Sequence, residues 1–330
     1  MTIKQGRPIA IIGAGPVGSI LAANFSKHGR EVLLVESSNQ RRQQIAEGGI
    51  TIKGRVPFHT NAVELIPTLE QLEGHTFATV FICTKTWSLK TILPTMARVV
   101  GPECLVISFQ NGIGPEDEVA RHFPRERVAR GIVNYAGGVS PEGEVTMNWF
   151  NPPNYLGPLD EVSLPRLERL AAALTHAGLE TQAIPMADTK KLVFFKTILN
   201  SALNALCASN GITMRQAMTY PHTRNLARML IREGLTVATA VGYTYGENAM
   251  EVCMKYLDEG GDHLPSMWTD LKNGTRTEIE YINGKIVKLA TMFKDMDVDA
   301  NIFFTSAIVT QEIKTGVRAP DDVPTYLTHF

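Results

Sequence analysis

The sequence predicts a mostly parallel α/β domain followed by an all-helical domain. Three observations predict it. The chain has 330 residues, and at roughly 100–200 residues per domain that length makes two. Through the first half, short apolar runs alternate with helical stretches, which implies crossover connections and a parallel sheet. From about residue 187 onward the strand signals stop, and each segment carries the apolar spacing of a helix. The division therefore falls within 184–188, giving a first domain of 1–186 and a second of 187–330.

Taken in order, residues 8–12 read as a strand, 15–28 as a helix, and 31–36 (EVLLVE) as a second strand. Residues 79–83 and 104–109 are further short strands, with a helix over 88–99 between them. Residues 127–134 make another strand candidate. These runs are continuously apolar rather than alternating, as expected of strands buried on both faces. Residues 137–158 hold several Gly and Pro and predict turns with short antiparallel strands, and 164–177 returns to a helical pattern. In the second domain, 190–208, 223–241, 250–257, 275–293 and 301–314 read as helices, and the tail from 320 to 330 as loosely held.

Composition excludes several classes. Lys and Arg number 32 against 33 Asp and Glu, so no broad cationic field is available for nucleic acid. The four cysteines (Cys83, Cys104, Cys207, Cys253) are widely spaced without a C-x-x-C. That spacing suits neither a zinc ribbon, a redox dithiol nor a disulfide scaffold, and no metal site is expected. No uninterrupted apolar run approaches ~18 residues, so no membrane span is expected. The N-terminus lacks the parts of a signal peptide. The expectation is a soluble, cytoplasmic, globular protein.

The first chemical signal is Gly13-Ala14-Gly15-Pro16-Val17-Gly18, a G-x-G-x-x-G. It follows a strand, opens a helix, and a second strand ends 18 residues past Gly18, at Glu36. In that context the pattern reads as a dinucleotide fingerprint. Gly13 permits the tight turn, Gly15 lets a pyrophosphate approach the backbone, and Gly18 lets the helix pack against the strand. The helix N-terminus offers N–H groups and the positive dipole end to the phosphates. A carboxylate at Glu36 can accept hydrogen bonds from ribose hydroxyls and repels a 2′-phosphate, which favours NAD over NADP. Arg41 and Arg42 follow closely and could swing toward a phosphate.

The second signal lies in KKLVFFKTILNSALNALCA, residues 190–208. Lys196, Asn200 and Asn204 stand at i, i+4 and i+8 and form one slowly drifting row. The rest of the surface is apolar almost all round, which predicts a largely buried helix. A buried amide without partners costs about 1–3 kcal/mol, and an unpaired ammonium more. The row therefore needs a polar counterpart, either a cleft holding a polar substrate, with Lys196 the proton donor, or solvent along an amphipathic face.

The third signal runs through Ser266, Asn273-Gly274 and Thr275-x-x-Glu278. Ser266 reads as a helix cap, and Thr275 with Glu278 as a capping box for the next helix. The functional alternative puts the Ser266 hydroxyl and the Glu278 carboxylate at the mouth of a cleft.

Together these pieces resemble the ketopantoate reductase (2-dehydropantoate 2-reductase) family. The matching residues are the glycine loop, K-x3-N-x3-N at Lys196, Asn200 and Asn204, and Ser266-Met267 followed by Thr277-Glu278-Ile279-Glu280-Tyr281-Ile282-Asn283-Gly284. Gln110-Asn111-Gly112-Ile113-Gly114 and Thr84-Lys85-Thr86 match further family turns. The resemblance implies a Rossmann-type N-terminal domain joined to a helical domain like that of 6-phosphogluconate dehydrogenase. It implies reduction of a 2-oxo acid to a 2-hydroxy acid with NAD(P)H, with 2-dehydropantoate to (R)-pantoate the leading candidate. Lys196 and Glu278 would be catalytic. Asn111, Asn200, Asn204 and Ser266 would hold the substrate. Gly13, Ala14, Gly15, Pro16, Val17, Gly18, Glu36, Lys85, Asn111, Gly137 and Glu278 would border the cofactor, and a homodimer is compatible. The chain departs from the family in two places. Glu36 stands where NADPH-dependent members carry a basic residue, and a Pro near the start of the last helices is replaced within Asp297-Val298-Asp299-Ala300-Asn301. Two alternatives stay open: an NAD-dependent D-2-hydroxyacid dehydrogenase acting on branched or aromatic 2-oxo acids, and a non-catalytic NAD(H)-sensing protein.

Overall fold

The computed structural model describes residues 7–328. It divides into two compact units. One comprises the chain up to Gln110 together with Gly114–Lys190, and the other Asn111–Ile113 together with the chain from Lys191 onward.

In the first unit the order is β1 (Ile9–Ile12), α1 (Pro16–Lys27), β2 (Val32–Val35), α2 (Asn39–Gly48), β3 (Ile50–Gly54), β4 (Phe58–Thr60), β5 (Glu64–Ile66), β6 (Thr79–Ile82), α3 (Leu89–Val99), β7 (Leu105–Ser108), α4 (Pro115–Val119), β8 (Val128–Ile132), β9 (Tyr135–Val139), β10 (Val145–Phe150), β11 (Asn154–Pro158), α5 (Leu164–His176) and β12 (Thr181–Ala183). Eight strands form one sheet in the order β12-β11-β8-β7-β6-β1-β2-β5. All its neighbours run parallel except β11 against β8. Each residue of β1, β2, β6, β7 and β8 is buried. This is why those strands read as unbroken apolar runs: helices cover both faces of a parallel sheet. The chain passes from β1 to β2 on one side and later returns to place β6 on the other. The sheet reverses direction at β1, and in open parallel sheets ligands bind outside the carboxyl ends of the strands at such a point.

A second sheet has the order β4-β3-β10-β9, and its β3 and β4 were not expected from the sequence. The stretch from 37 to 78 carried no clear signal because its strands are three to five residues long and only partly buried. The antiparallel pair of β9 (Tyr135–Val139) and β10 (Val145–Phe150) largely overlaps the 137–158 region where short antiparallel strands were expected.

The second unit is helical. After α6 (Met186–Asn210) come α7 (Met214–Thr219), α8 (Pro221–Ala240), α9 (Ala249–Asp258), α10 (Ser266–Lys272), α11 (Asn283–Ala290) and α12 (Asp299–Lys314). Its core gathers Ile198, Leu203, Leu206, Leu230, Ile286 and Ile308, all essentially inaccessible. Helix α6 is long and apolar enough by composition to cross a membrane, yet 72% of its most apolar window is buried inside the protein. It is a core helix, with each large aliphatic side chain contributing roughly 1.5–3 kcal/mol by leaving water.

Four local expectations are corrected. The helix predicted over 275–293 is broken into a 3₁₀ turn at Ile279–Tyr281 and α11. No capping box forms at Thr275, whose hydroxyl donates instead to the Asp270 carbonyl at 2.9 Å. Ser266 is the first residue of α10 and Pro265 holds the cap position, with no side-chain cap bond. The tail is not loose as far as Thr328. Val323 and Leu327 pack on the helical core, and Arg276 pairs with Asp322 at 2.7 Å. His329 and Phe330 lie outside the described residues.

Where the expected Pro is missing, α12 begins differently. Glu233 on α8 accepts the backbone N–H groups of Ala300 and Asn301 at 2.8 and 2.9 Å. A carboxylate on the positive end of a helix replaces a preset proline φ.

Leu206→Ala should cost about 2–5 kcal/mol, the range for a large-to-small change in a tight core. Chemical denaturation followed by circular dichroism, with its midpoint compared with the unaltered protein, checks this.

Candidate active site

The carboxyl end of β1 leads directly into the glycine loop. Gly13 has φ +101°, which a side chain rarely adopts. A Cβ on Gly13 would lie 3.1 Å from Thr84 Cγ2, so the loop after β1 and the loop after β6 touch. A Cβ on Gly18 would stand 1.9 Å from the Gly13 carbonyl oxygen. Around the Cβ position of Gly15 nothing lies within 4 Å. The three glycines thus do different work. The first makes the turn, the last lets α1 press on the loop, and the middle one leaves open space.

Helix α1 starts at Pro16 with Gly15 at the cap position, no side-chain cap and no acidic residue in its first turn. No carboxylate of that turn competes with an anion for the positive end. At the end of β2, Glu36 accepts the Ala14 N–H through one carboxylate oxygen and the Ser38 N–H through the other, each at 2.8 Å. Lys85 stands at the start of a 3₁₀ turn after β6, half-buried. These residues fit a dinucleotide: a loop of backbone, an unblocked helix N-terminus and a carboxylate fixed beside it.

No local sequence signal marks the residues that hold this loop in place. Arg41 on α2 is buried at 8% exposure. Its Nε donates to the Ala14 carbonyl at 3.0 Å, one terminal nitrogen to Gly143 O at 2.7 Å, and the other to Ser19 Oγ at 3.1 Å. Ser19 in turn donates to the same Ala14 carbonyl at 2.9 Å. Burial draws the Arg41 guanidinium below its ordinary pKa, with Glu36 acting in the opposite sense. Arg42 donates to the carbonyls of Glu36 and Ser37 at 2.7 Å each and to Asn39. Both arginines are thus engaged with their own chain. Nothing local in the sequence distinguishes a bracing arginine from a phosphate-seeking one.

Gly137 lies on β9, where a Cβ would meet the Thr146 carbonyl oxygen at 2.1 Å. Close approach of β10 is a sufficient reason for glycine there.

In the second unit, α6 carries Lys196 and Asn200 half-buried and Asn204 buried, one turn apart. Ser201, between the amides, is fully buried, and its carbonyl accepts Asn283 Nδ2 at 3.0 Å. Asn283 also reaches Asn301 Oδ1 at 3.1 Å, and Asn301 Nδ2 donates to Glu233 at 2.7 Å. Burial raises the Glu233 carboxyl above its ordinary pKa, with the N–H donors of Asn301 and Ala300 partly offsetting it. This chain of amides ties α6 to α11, α12 and α8.

Asn111 belongs to the same unit. Its turn is seated on the 3₁₀ segment: Ile113 N–H donates to the Tyr281 carbonyl at 3.0 Å, and a Cβ on Gly112 would lie 2.2 Å from that oxygen. Asn111 Nδ2 donates to Glu278 Oε2 at 3.3 Å, across 167 residues of sequence. Glu278 is buried at 5% exposure. Ser266 is exposed at the start of α10. Among the described residues, no group of three His, Cys, Asp or Glu side chains could hold a metal ion.

A doubly wound sheet with a glycine loop at its reversal point, followed by a helical unit with a lysine–asparagine row, defines a nicotinamide-dependent oxidoreductase. Two family models match: ketopantoate reductase PanE/ApbA over residues 9–161 and its C-terminal counterpart over 188–308. The chain belongs to the ketopantoate reductase family. It is 28% identical over 309 residues to the 2-dehydropantoate 2-reductase of Archaeoglobus fulgidus, covering 94% of this chain and 98% of that one. Among solved structures, D-mandelate dehydrogenase with NADH and anilino(oxo)acetate matches with a TM-score of 0.85 at 24% identity, covering 94% of this chain and 100% of that one. A PanE/ApbA family ketopantoate reductase from Ralstonia eutropha JMP134 matches with a TM-score of 0.81 at 23% identity, covering 94% and 99%. At these identities the structural likenesses establish the fold.

Gly18→Ala forces α1 away from the Gly13 carbonyl. It should destabilise the first unit by about 1–3 kcal/mol, the usual cost of overpacking. It should also weaken binding of the nicotinamide dinucleotide, measured by fluorescence titration with NADH and with NADPH.

Proposed function

We propose that the protein reduces the ketone of a small 2-oxo acid to a 2-hydroxy acid with NADH, and that 2-dehydropantoate, giving (R)-pantoate, is the leading substrate. The observation that carries this is the Asn111–Glu278 hydrogen bond. It joins two distant motifs in the unit that also carries Lys196, Asn200 and Asn204. A reduced nicotinamide, when bound, supplies the hydride.

The chain's own residues supply the rest. Lys196 gives a proton to the ketone oxygen as negative charge develops there, where a fixed cation lowers the barrier most. Asn200, Asn204 and the exposed Ser266 hydroxyl hold the carboxylate and hydroxyls of the substrate. Asn111 and Glu278 fix its orientation. Residues 13–18 and Lys85 receive the cofactor phosphates and their neighbourhood. Glu36, already braced by two backbone N–H groups, meets the ribose. A 2′-phosphate would face that carboxylate, and Arg41 and Arg42 are occupied elsewhere. This supports NAD over NADP.

The second reading is a D-2-hydroxyacid dehydrogenase acting on a bulkier, aromatic 2-oxo acid. The likeness in fold to D-mandelate dehydrogenase favours it. Initial rates with NADH and NADPH against 2-dehydropantoate, phenylglyoxylate and branched 2-oxo acids separate the two readings.

Lys196→Ala should lower kcat by roughly 10²–10⁴-fold, the scale of general acid catalysis, with NADH affinity retained. An unchanged rate removes Lys196 from its role. Glu36→Arg should move the NADPH/NADH ratio of kcat/KM upward by about tenfold, equivalent to ~1.4 kcal/mol. A ratio that does not move takes Glu36 off the ribose.

A further inference from the structure

Glu312, near the end of α12, has no exposed surface and no part in the site described above. One of its carboxylate oxygens accepts both the backbone N–H of Thr277 at 2.7 Å and the Thr277 hydroxyl at 2.6 Å. The other accepts Arg318 Nε at 2.6 Å. Thr277 Oγ1 also accepts the Ile279 N–H at 3.2 Å. Glu278 therefore sits between two residues whose backbone is gripped by one threonine hydroxyl and one buried carboxylate.

That grip matters because regular structure supplies none there. Residues 275–278 are neither helix nor strand. Glu278 has φ −96° and ψ 21°, in the sparsely populated region between the helical and extended wells. A segment without ladder bonds relies on side chains to choose its conformation. Glu312 is suited to this because an ionised carboxylate only accepts hydrogen bonds and can serve two donors on one oxygen. Arg318, itself buried, balances its charge and reaches Glu280 at 2.7 Å. Glu280 also takes Arg276 at 2.6 Å. The charges in this cluster are thus each matched within the second unit.

We propose that Glu312 is a positioning residue: acting through Thr277, it holds the backbone that aims the Glu278 carboxylate at Asn111 and the substrate. The inference rests on the functional reading above and deepens it. The structural requirement is two clients on two oxygens, Thr277 on one and Arg318 on the other. A glutamine has a single oxygen and must abandon one of them.

The test is steady-state kinetics with NADH and the 2-oxo acid that the unaltered protein turns over. Glu312→Gln and Thr277→Val should each lower kcat/KM for the oxo acid by about tenfold, mainly through KM, with NADH affinity unchanged. Thr277→Ser, which restores the hydroxyl, should recover most of the loss. In a Glu278→Gln background, Thr277→Val should cost less than about twofold more, because no carboxylate remains to be aimed. The valine variant answers the question even where the glutamine variant does not fold. The same fractional loss with and without Glu278, or full activity in Thr277→Val, overturns the proposal and leaves the functional reading standing. Failure of the unaltered protein to reduce any 2-oxo acid overturns that reading, and the proposal falls with it.

Discussion

Placing an ammonium and two carboxamides along one row of a buried helix is costly unless each finds a polar counterpart. Helix α6 does this for 25 residues of otherwise mostly apolar surface. The arrangement of the second unit follows from that constraint. The same helix that supplies the core's leucines leaves Lys196 and Asn200 half-buried. Its backbone at Ser201 is held by Asn283, which is linked onward to Asn301 and Glu233.

The second unit repeats this use of buried polar groups at Glu278. Breaking a buried ion pair by removing one partner typically costs about 3–5 kcal/mol, whereas the intact pair adds little stability over apolar packing. The pair between Glu312 and Arg318 is thus better understood as specifying a conformation than as strengthening the core. Burial works against the Arg318 charge, but bonds to Glu280 and Glu312 more than compensate and raise its pKa. The Glu280 carboxyl moves the other way: burial opposes its charge, and the two arginines overcome this and lower its pKa. Arg318 and Glu280 therefore each favour the ionised form at neutral pH.

The first unit solves a related problem with backbone. An anion at a helix N-terminus needs N–H groups that nothing else has claimed. Gly15 leaves room above them, and Gly18 lets the helix come close enough to β1 to aim them. Arg41 and Ser19 then fix the Ala14 carbonyl from beneath. Two arginines within six residues of Glu36 would suggest a phosphate site by charge alone. Their hydrogen bonds show braces instead.

Local pattern by itself determined the parallel strands, the glycine turn, the helical second half and the row on α6. Each of these depends on neighbours within a few residues: continuous apolar runs, a period of 3.6, or a glycine where a Cβ has no room. The family likeness was legible for the same reason, since its motifs are short. What only the tertiary structure decided depends on partners far apart in the chain. The capping pattern at Thr275 and Glu278 was sound as local chemistry, but the Thr275 hydroxyl donates to the Asp270 carbonyl and Asn111, 167 residues away, engages the glutamate. The small second sheet, the bracing by Arg41 and the capping of α12 by Glu233 are likewise long-range choices. A side chain's hydrogen-bonding capacity is written in the sequence. Which donor reaches it first is set by how distant elements pack.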